Sequence, residues 1–142
     1  GITHKIGLRV LGLFLLVKNM PDFSVDWIGD AGLRNLYKNI NSYYDSHTET
    51  DTNAWLEQVE EAEKSYAREV IFIAEEFFQS TEEERAQELG NLINRLKKLY
   101  LKQELKLIRE KIQSAEASGS VDQLQEYLSE WQDINKELSA KG

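Results

Sequence analysis

Cysteine is missing from all 142 positions. Disulfides, thiolate zinc sites and cysteine nucleophiles are excluded together, and the absence suits a reducing compartment. Proline occurs once and glycine eight times, too few for a chain built on many tight turns, so long helices are favoured. No apolar run is long enough to span a bilayer. The stretch "HKIGLRVLGLFLLVKNM" imitates an export signal, but Arg9 interrupts it, Lys18 closes it and no small-residue cleavage site follows. Glycine-rich phosphate loops and serine or cysteine nucleophile constellations are also lacking. Little in the residues points to catalysis.

What is present reads as a folded, acidic, helical chain. Apolar residues make up 41% and aromatic residues 10% of the sequence, which is ordinary for a packed core and argues against disorder. The net charge of −8 argues against a non-specific nucleic-acid binder, because phosphates are held by clustered lysines and arginines. The charge is uneven. Residues 53–90 hold three bases against eleven acids, whereas residues 91–142 hold nine against eight.

The helical periods can be placed in order. Ile6, Leu8, Val10, Leu11, Leu13, Phe14, Leu15, Leu16 and Val17 leave the first helix almost no polar face, so others should wrap it; it should end near Met20-Pro21, since the residue before proline resists the helical conformation. Phe23, Trp27 and Ile28 follow in a connector. A second helix from about Asp30 to Tyr44 turns Leu33, Leu36, Tyr37, Ile40, Tyr43 and Tyr44 inward. Asp51 or Thr52 should cap a short helix with Trp55, Leu56 and Val59. Another helix starts near Ala62 or Lys64, with Tyr66, Val70, Ile71, Ile73, Ala74, Phe77 and Phe78 inward and Phe72 elsewhere. "STEEERAQEL" offers a capping box, Ser80 with Glu83 or Thr81 with Glu84. No strong breaker then appears before Ser118-Gly119-Ser120, so one helix should run about 40 residues; Ser120 or Asp122 caps the last.

The long helix changes its apolar side. Leu89, Leu92, Ile93, Leu96, Leu99 and Tyr100 share one face, and Leu101, Leu105, Ile108, Ile112 and Ala115 form a second stripe rotated by roughly 140°. A helix that switches sides packs on different things before and after the switch. The expectation is an all-α fold: a helical bundle over residues 1–95, joined by the long helix to a C-terminal helical hairpin over 96–142. On the last helix Val121, Leu124, Tyr127, Leu128, Trp131, Ile134 and Leu138 fill a wide arc. An antiparallel pair needs only a narrow seam, which Val121, Leu124, Leu128 and Trp131 can supply. That would leave Tyr127, Ile134 and Leu138 on an outer edge, to be covered either by a partner or by the bundle.

Several clusters have plainer readings. Arg95, Lys98, Lys102, Lys106 and Arg109 form a basic stripe that could meet an acidic partner or a nucleic-acid backbone, or simply be solvated. His47, Glu49 and Asp51 stand close together in sequence, but there is no second cluster to complete a metal site. The carboxylates of 57–63 and 82–88 read as solvated faces without an apolar pocket to raise a pKa. No catalytic, cofactor-binding or metal-ligating residue is expected.

The order "KIGLRVLGLFLL", "LRNLYKNI", "WLEQVEEAEKSYAREVIFIAEEFF" and then "RLKKLYLKQELKLIREKIQSAEASGSVDQLQEYLSEWQDINKEL" resembles the C-terminal domain of bacterial DNA primase (DnaG type). The likeness is closest in the last 55 or so residues and looser, in pattern and helix order, before them. The resemblance implies a bundle followed by a hairpin that docks on the N-terminal domain of the hexameric replicative helicase, so that RNA primers are made at the fork in the bacterial cytoplasm. It implies a non-catalytic part of a nucleotidyltransferase, needing no cofactor, monomeric alone, with no membrane and no direct nucleic-acid contact. Carried onto this chain, the grip would involve Tyr127, Trp131, Ile134 and Leu138, with Leu107 as a lesser contact. The competing reading is a self-associating coiled-coil adaptor.

Overall fold

A computed structural model describes residues 1–17, 19, 21–48 and 51–140. Among them are six α-helices and no strand: α1 (Ile2–Phe14), α2 (Ala31–Ser46), α3 (Thr52–Gln58), α4 (Lys64–Glu75), α5 (Glu82–Ser118) and α6 (Val121–Ser139), with single 3-10 turns at Val25–Trp27 and Glu61–Glu63. The fold is all-α. The chain divides into two compact units, Gly1–Leu96 and Lys97–Gly142, with the boundary inside α5.

The first unit is a bundle arranged around α1. Val10, Leu11, Leu13, Phe14 and Leu15 are fully buried or nearly so, as a helix without a polar face requires. α1 packs chiefly on α4 and also on α2. The approach to α4 is close because Gly12 carries no side chain: a Cβ there would come within 3.0 Å of Ile73 Cγ2 and 3.2 Å of both Ala74 N and Val70 O. Leu33, Leu36, Ile40 and Tyr43 of α2, Trp55 of α3, and Ala67, Val70 and Ala74 of α4 are buried in the same unit. The buried Trp55 indole donates from Nε1 to Asn39 Oδ1 at 2.8 Å, which satisfies its one polar atom.

The helix starts follow capping chemistry. Asp30 Oδ1 accepts from the N–H groups of Gly32 and Leu33, and Asp51 Oδ1 does the same for Asn53 and Ala54. Thr81 and Glu84 form the reciprocal box that opens α5: Glu84 N–H donates to Thr81 Oγ1, and Thr81 N–H to Glu84 Oε1. The Thr81 backbone bond, with its hydroxyl, lowers the Glu84 pKa. Asp30 also accepts from the Tyr66 hydroxyl at 3.1 Å and lies 3.1 Å from His4 Nδ1, tying α1, α2 and α4 together. Burial alone would raise the Asp30 carboxyl; the bonds from Leu33, Tyr66 and Gly32, with His4 nearby, outweigh it and hold the pKa below its ordinary value.

Two expectations for this unit are corrected. α1 ends at Phe14 rather than near Met20, which lies outside the described residues. The Tyr44 hydroxyl, 2.6 Å from the Phe14 carbonyl and 2.7 Å from that of Leu15, takes up carbonyls at the helix end, so a tertiary contact stops α1 before the proline can. α4 likewise ends at Glu75, and Phe78 is 47% exposed rather than inward. Arg85 donates to the Phe77 and Phe78 carbonyls from Nε and Nη2, fixing the chain in a turn instead of a further helical turn. Phe72 is exposed, as its spacing requires.

α5 runs unbroken for 37 residues, and its burial follows the change of stripe: Leu89, Leu92, Ile93 and Leu96 are buried, then Leu101, Leu105, Ile108 and Ala115. It stops at Gly119, whose φ of +71° is the left-handed conformation that glycine adopts without strain. The N–H of Ser120 returns to the Ala115 carbonyl, and α6 begins at the next residue with Ser120 as N-cap.

Candidate docking surface

In the second unit the C-terminal part of α5 and all of α6 form an antiparallel hairpin. Lys97 Nζ lies 4.0 Å from Glu137 Oε1. Lys111 Nζ sits over the Tyr127 ring, 5.8 Å from its centroid. These contacts fix the register, in which Leu101, Leu105, Ile108 and Ile112 fall opposite Ile134, Trp131, Tyr127 and Leu124. Both stripes alternate steps of three and four, which is the spacing of a helix–helix seam.

That register corrects the expected division of α6. Val121 is 64% and Leu128 41% exposed, whereas Leu124, Tyr127, Trp131, Ile134 and Leu138 are all half-buried. Two overlapping stripes compete on this helix. The one through Val121, Leu124, Leu128 and Trp131 runs next into Asn135, a polar residue. The one through Leu124, Tyr127, Trp131, Ile134 and Leu138 stays apolar to the end of α6, so it covers more hydrocarbon against α5. Tyr127, Ile134 and Leu138 therefore belong to the seam with Trp131, and Val121 and Leu128 stand outside it. Asn135 donates from Nδ2 to the Trp131 carbonyl.

The seam is asymmetric in coverage. Leu101, Leu105, Ile108 and Ala115 on α5 are buried, but no residue of α6 is. Beside the seam, Leu107, Lys111, Ser114, Ala115, Ser118 and Tyr127 line a shallow groove of about 400 Å³, and Leu107 is 46% exposed. Arg95, in the first unit, and Lys98, Lys102, Lys106 and Arg109, in the second, are all exposed.

His47 stacks on the Tyr43 ring at 3.9 Å, and its Nδ1 lies 3.0 Å from the Tyr43 carbonyl. Asp51 caps α3, and Glu49 lies outside the described residues. Among the described residues no group of three or more His, Asp or Glu is placed to hold a metal ion, and no helix is long and apolar enough to cross a membrane. No protein-family model, curated protein or solved structure matches this chain.

The sequence assigned Val121 and Leu128 to the seam and Tyr127, Ile134 and Leu138 to the outer edge, whereas the structure exposes the first two and half-buries the other three. The available signal was Asn135, which breaks the alternative stripe.

Proposed function

We propose that the hairpin of Lys97–Gly142 is a docking unit and that this chain is a non-catalytic adaptor, the helicase-binding part of a DnaG-type primase. One observation carries the docking reading: α6 presents five apolar seam residues and buries none of them completely. Fully burying one such side chain contributes about 1.5–3 kcal/mol, so a partner that finishes the job gains substantially. Tyr127 and Trp131 suit an interface because each offers a large rigid apolar surface with a polar edge. Leu107, on the rim of the groove beside Tyr127, extends the same surface. The partner named here, a hexameric replicative helicase, rests on the resemblance of the C-terminal sequence alone.

The test is co-elution of the chain with its cognate helicase hexamer on size exclusion, followed by titration of variants. Trp131→Ala and Ile134→Ala should each weaken binding by about 1–4 kcal/mol, with helicity and melting recorded to separate lost contact from lost folding. Unchanged binding after removal of residues 119–142 would refute the hairpin's role. Dimerisation of the isolated chain at rising concentration, without helicase binding, would favour a self-associating scaffold instead.

A further inference from the structure

The two edges of the hairpin differ in charge. On one edge stand residues that precede a seam residue by one position, Lys111 on α5 and Glu137 on α6 among them, and there Lys97 meets Glu137. On the other edge stand residues that follow a seam residue: Lys102 after Leu101 and Arg109 after Ile108 on α5, and Leu128 after Tyr127 and Asn135 after Ile134 on α6. Lys106, after Leu105, lies on the same side. Residues related in this way share one edge of an antiparallel pair, so the register brings Arg109 alongside Leu128 and Lys102 alongside Asn135.

This second edge is basic and has no answering acid from α6. The α6 residues that follow the seam are Gln125, Leu128, Gln132, Asn135 and Ser139, although the helix carries Asp122, Glu126, Glu130, Asp133 and Glu137 elsewhere on its circumference. Glu116 is the acid on the α5 side of this edge, close to the turn. Lys102, Lys106 and Arg109 make no ion pair among the described residues. In a chain with 25 acids and 17 bases, three unpaired cations beside a 41% exposed leucine form a surface that the rest of the molecule does not complement. An exposed leucine alone would need no explanation; here it stands beside three cations, with Glu116 the acid on the edge near the turn.

We infer that this edge receives an acidic amphipathic helix of a partner protein, with the partner's apolar residues on Leu128 and Val121 and its carboxylates on Lys102, Lys106 and Arg109. The inference rests on the hairpin being a docking unit but not on the partner being a helicase. A protein segment fits better than a nucleic acid, because the edge pairs its cations with aliphatic side chains and offers no exposed aromatic ring for a base to stack on.

The test uses the whole chain and two labelled probes: an amphipathic peptide with leucine and glutamate at helical spacing, and a single-stranded DNA of comparable charge. The peptide should bind, with affinity falling as salt rises from about 50 to 300 mM. The triple variant Lys102→Gln, Lys106→Gln, Arg109→Gln should lose on the order of tenfold or more at low salt, and Leu128→Ala should lose affinity at every salt concentration. These are exposed positions, and circular dichroism should show the helices intact. Binding of the DNA in place of the peptide, or of neither, overturns the inference. Peptide that binds the triple variant as tightly as the parent also overturns it while leaving the proposed function standing. Peptide bound as expected by a chain that ignores helicase keeps the inference and removes the helicase reading.

Discussion

The bundle and the hairpin solve the burial problem in opposite ways. In Gly1–Leu96 the apolar residues close on one another from several helices, and Trp55, Phe14, Leu11 and Leu36 are essentially inaccessible. In the hairpin two helices have one seam between them, and among the described residues the buried apolar ones are four, all on α5: Leu101, Leu105, Ile108 and Ala115. Two helices by themselves cannot enclose a core, since within the unit each has one neighbour to cover it. The difference teaches where to look for recognition: not at the best-packed aromatics of the bundle but at α6, whose apolar surface is arranged and incompletely used.

Truncating one buried side chain in each unit measures that contrast. Trp55→Ala should destabilise the bundle by about 3–5 kcal/mol, losing both a large buried ring and the bond to Asn39, whereas Leu105→Ala should cost about 2 kcal/mol, because its surroundings in the hairpin can collapse or admit water. Urea denaturation followed by far-ultraviolet circular dichroism reads both, and equal losses would erase the distinction between the units.

Two glycines sharpen it at a finer scale. Gly12→Ala should cost about 1–3 kcal/mol, since two of the atoms its Cβ would crowd belong to the α4 backbone and cannot rotate away. Gly90→Ala should instead stabilise by about 0.5–1 kcal/mol: nothing lies within 4 Å of a Cβ there, and alanine is the better helix former. Thermal melts of the two variants should move in opposite directions.

The smallest effect is acid sensitivity in the bundle. Asp30 has a folded pKa below its ordinary 3.8, so its contribution is present above that value and is lost as pH falls through the lower folded one. Stability measured from pH 5 downward should decline more steeply for the parent than for Asp30→Asn, and parallel curves would show that the Asp30 contacts to His4, Tyr66 and the α2 N-terminus carry no such linkage.

The all-helical fold was legible because its signals are local. The Thr81–Glu84 box and the scarcity of breakers set α5, Asp30 and Asp51 marked two helix starts, and Gly119 marked a stop. What escaped was decided by contacts across the chain. The end of α1 depends on a hydroxyl thirty residues away at Tyr44, and the turn after α4 on the Arg85 side chain. On α6 both stripes obey the same spacing, and choosing between them requires following each to its end at Asn135 or Leu138. The surface residues Leu128 and Val121 were legible only after that choice.

Amide hydrogen exchange with and without the cognate replicative helicase tests the docking claim most directly. Alone, the amides of α6 should exchange much faster than those of α1 and α2, and adding helicase should slow α6 selectively. Protection of α6 that already equals that of α1 in the free chain, and does not change when helicase is added, would contradict the account.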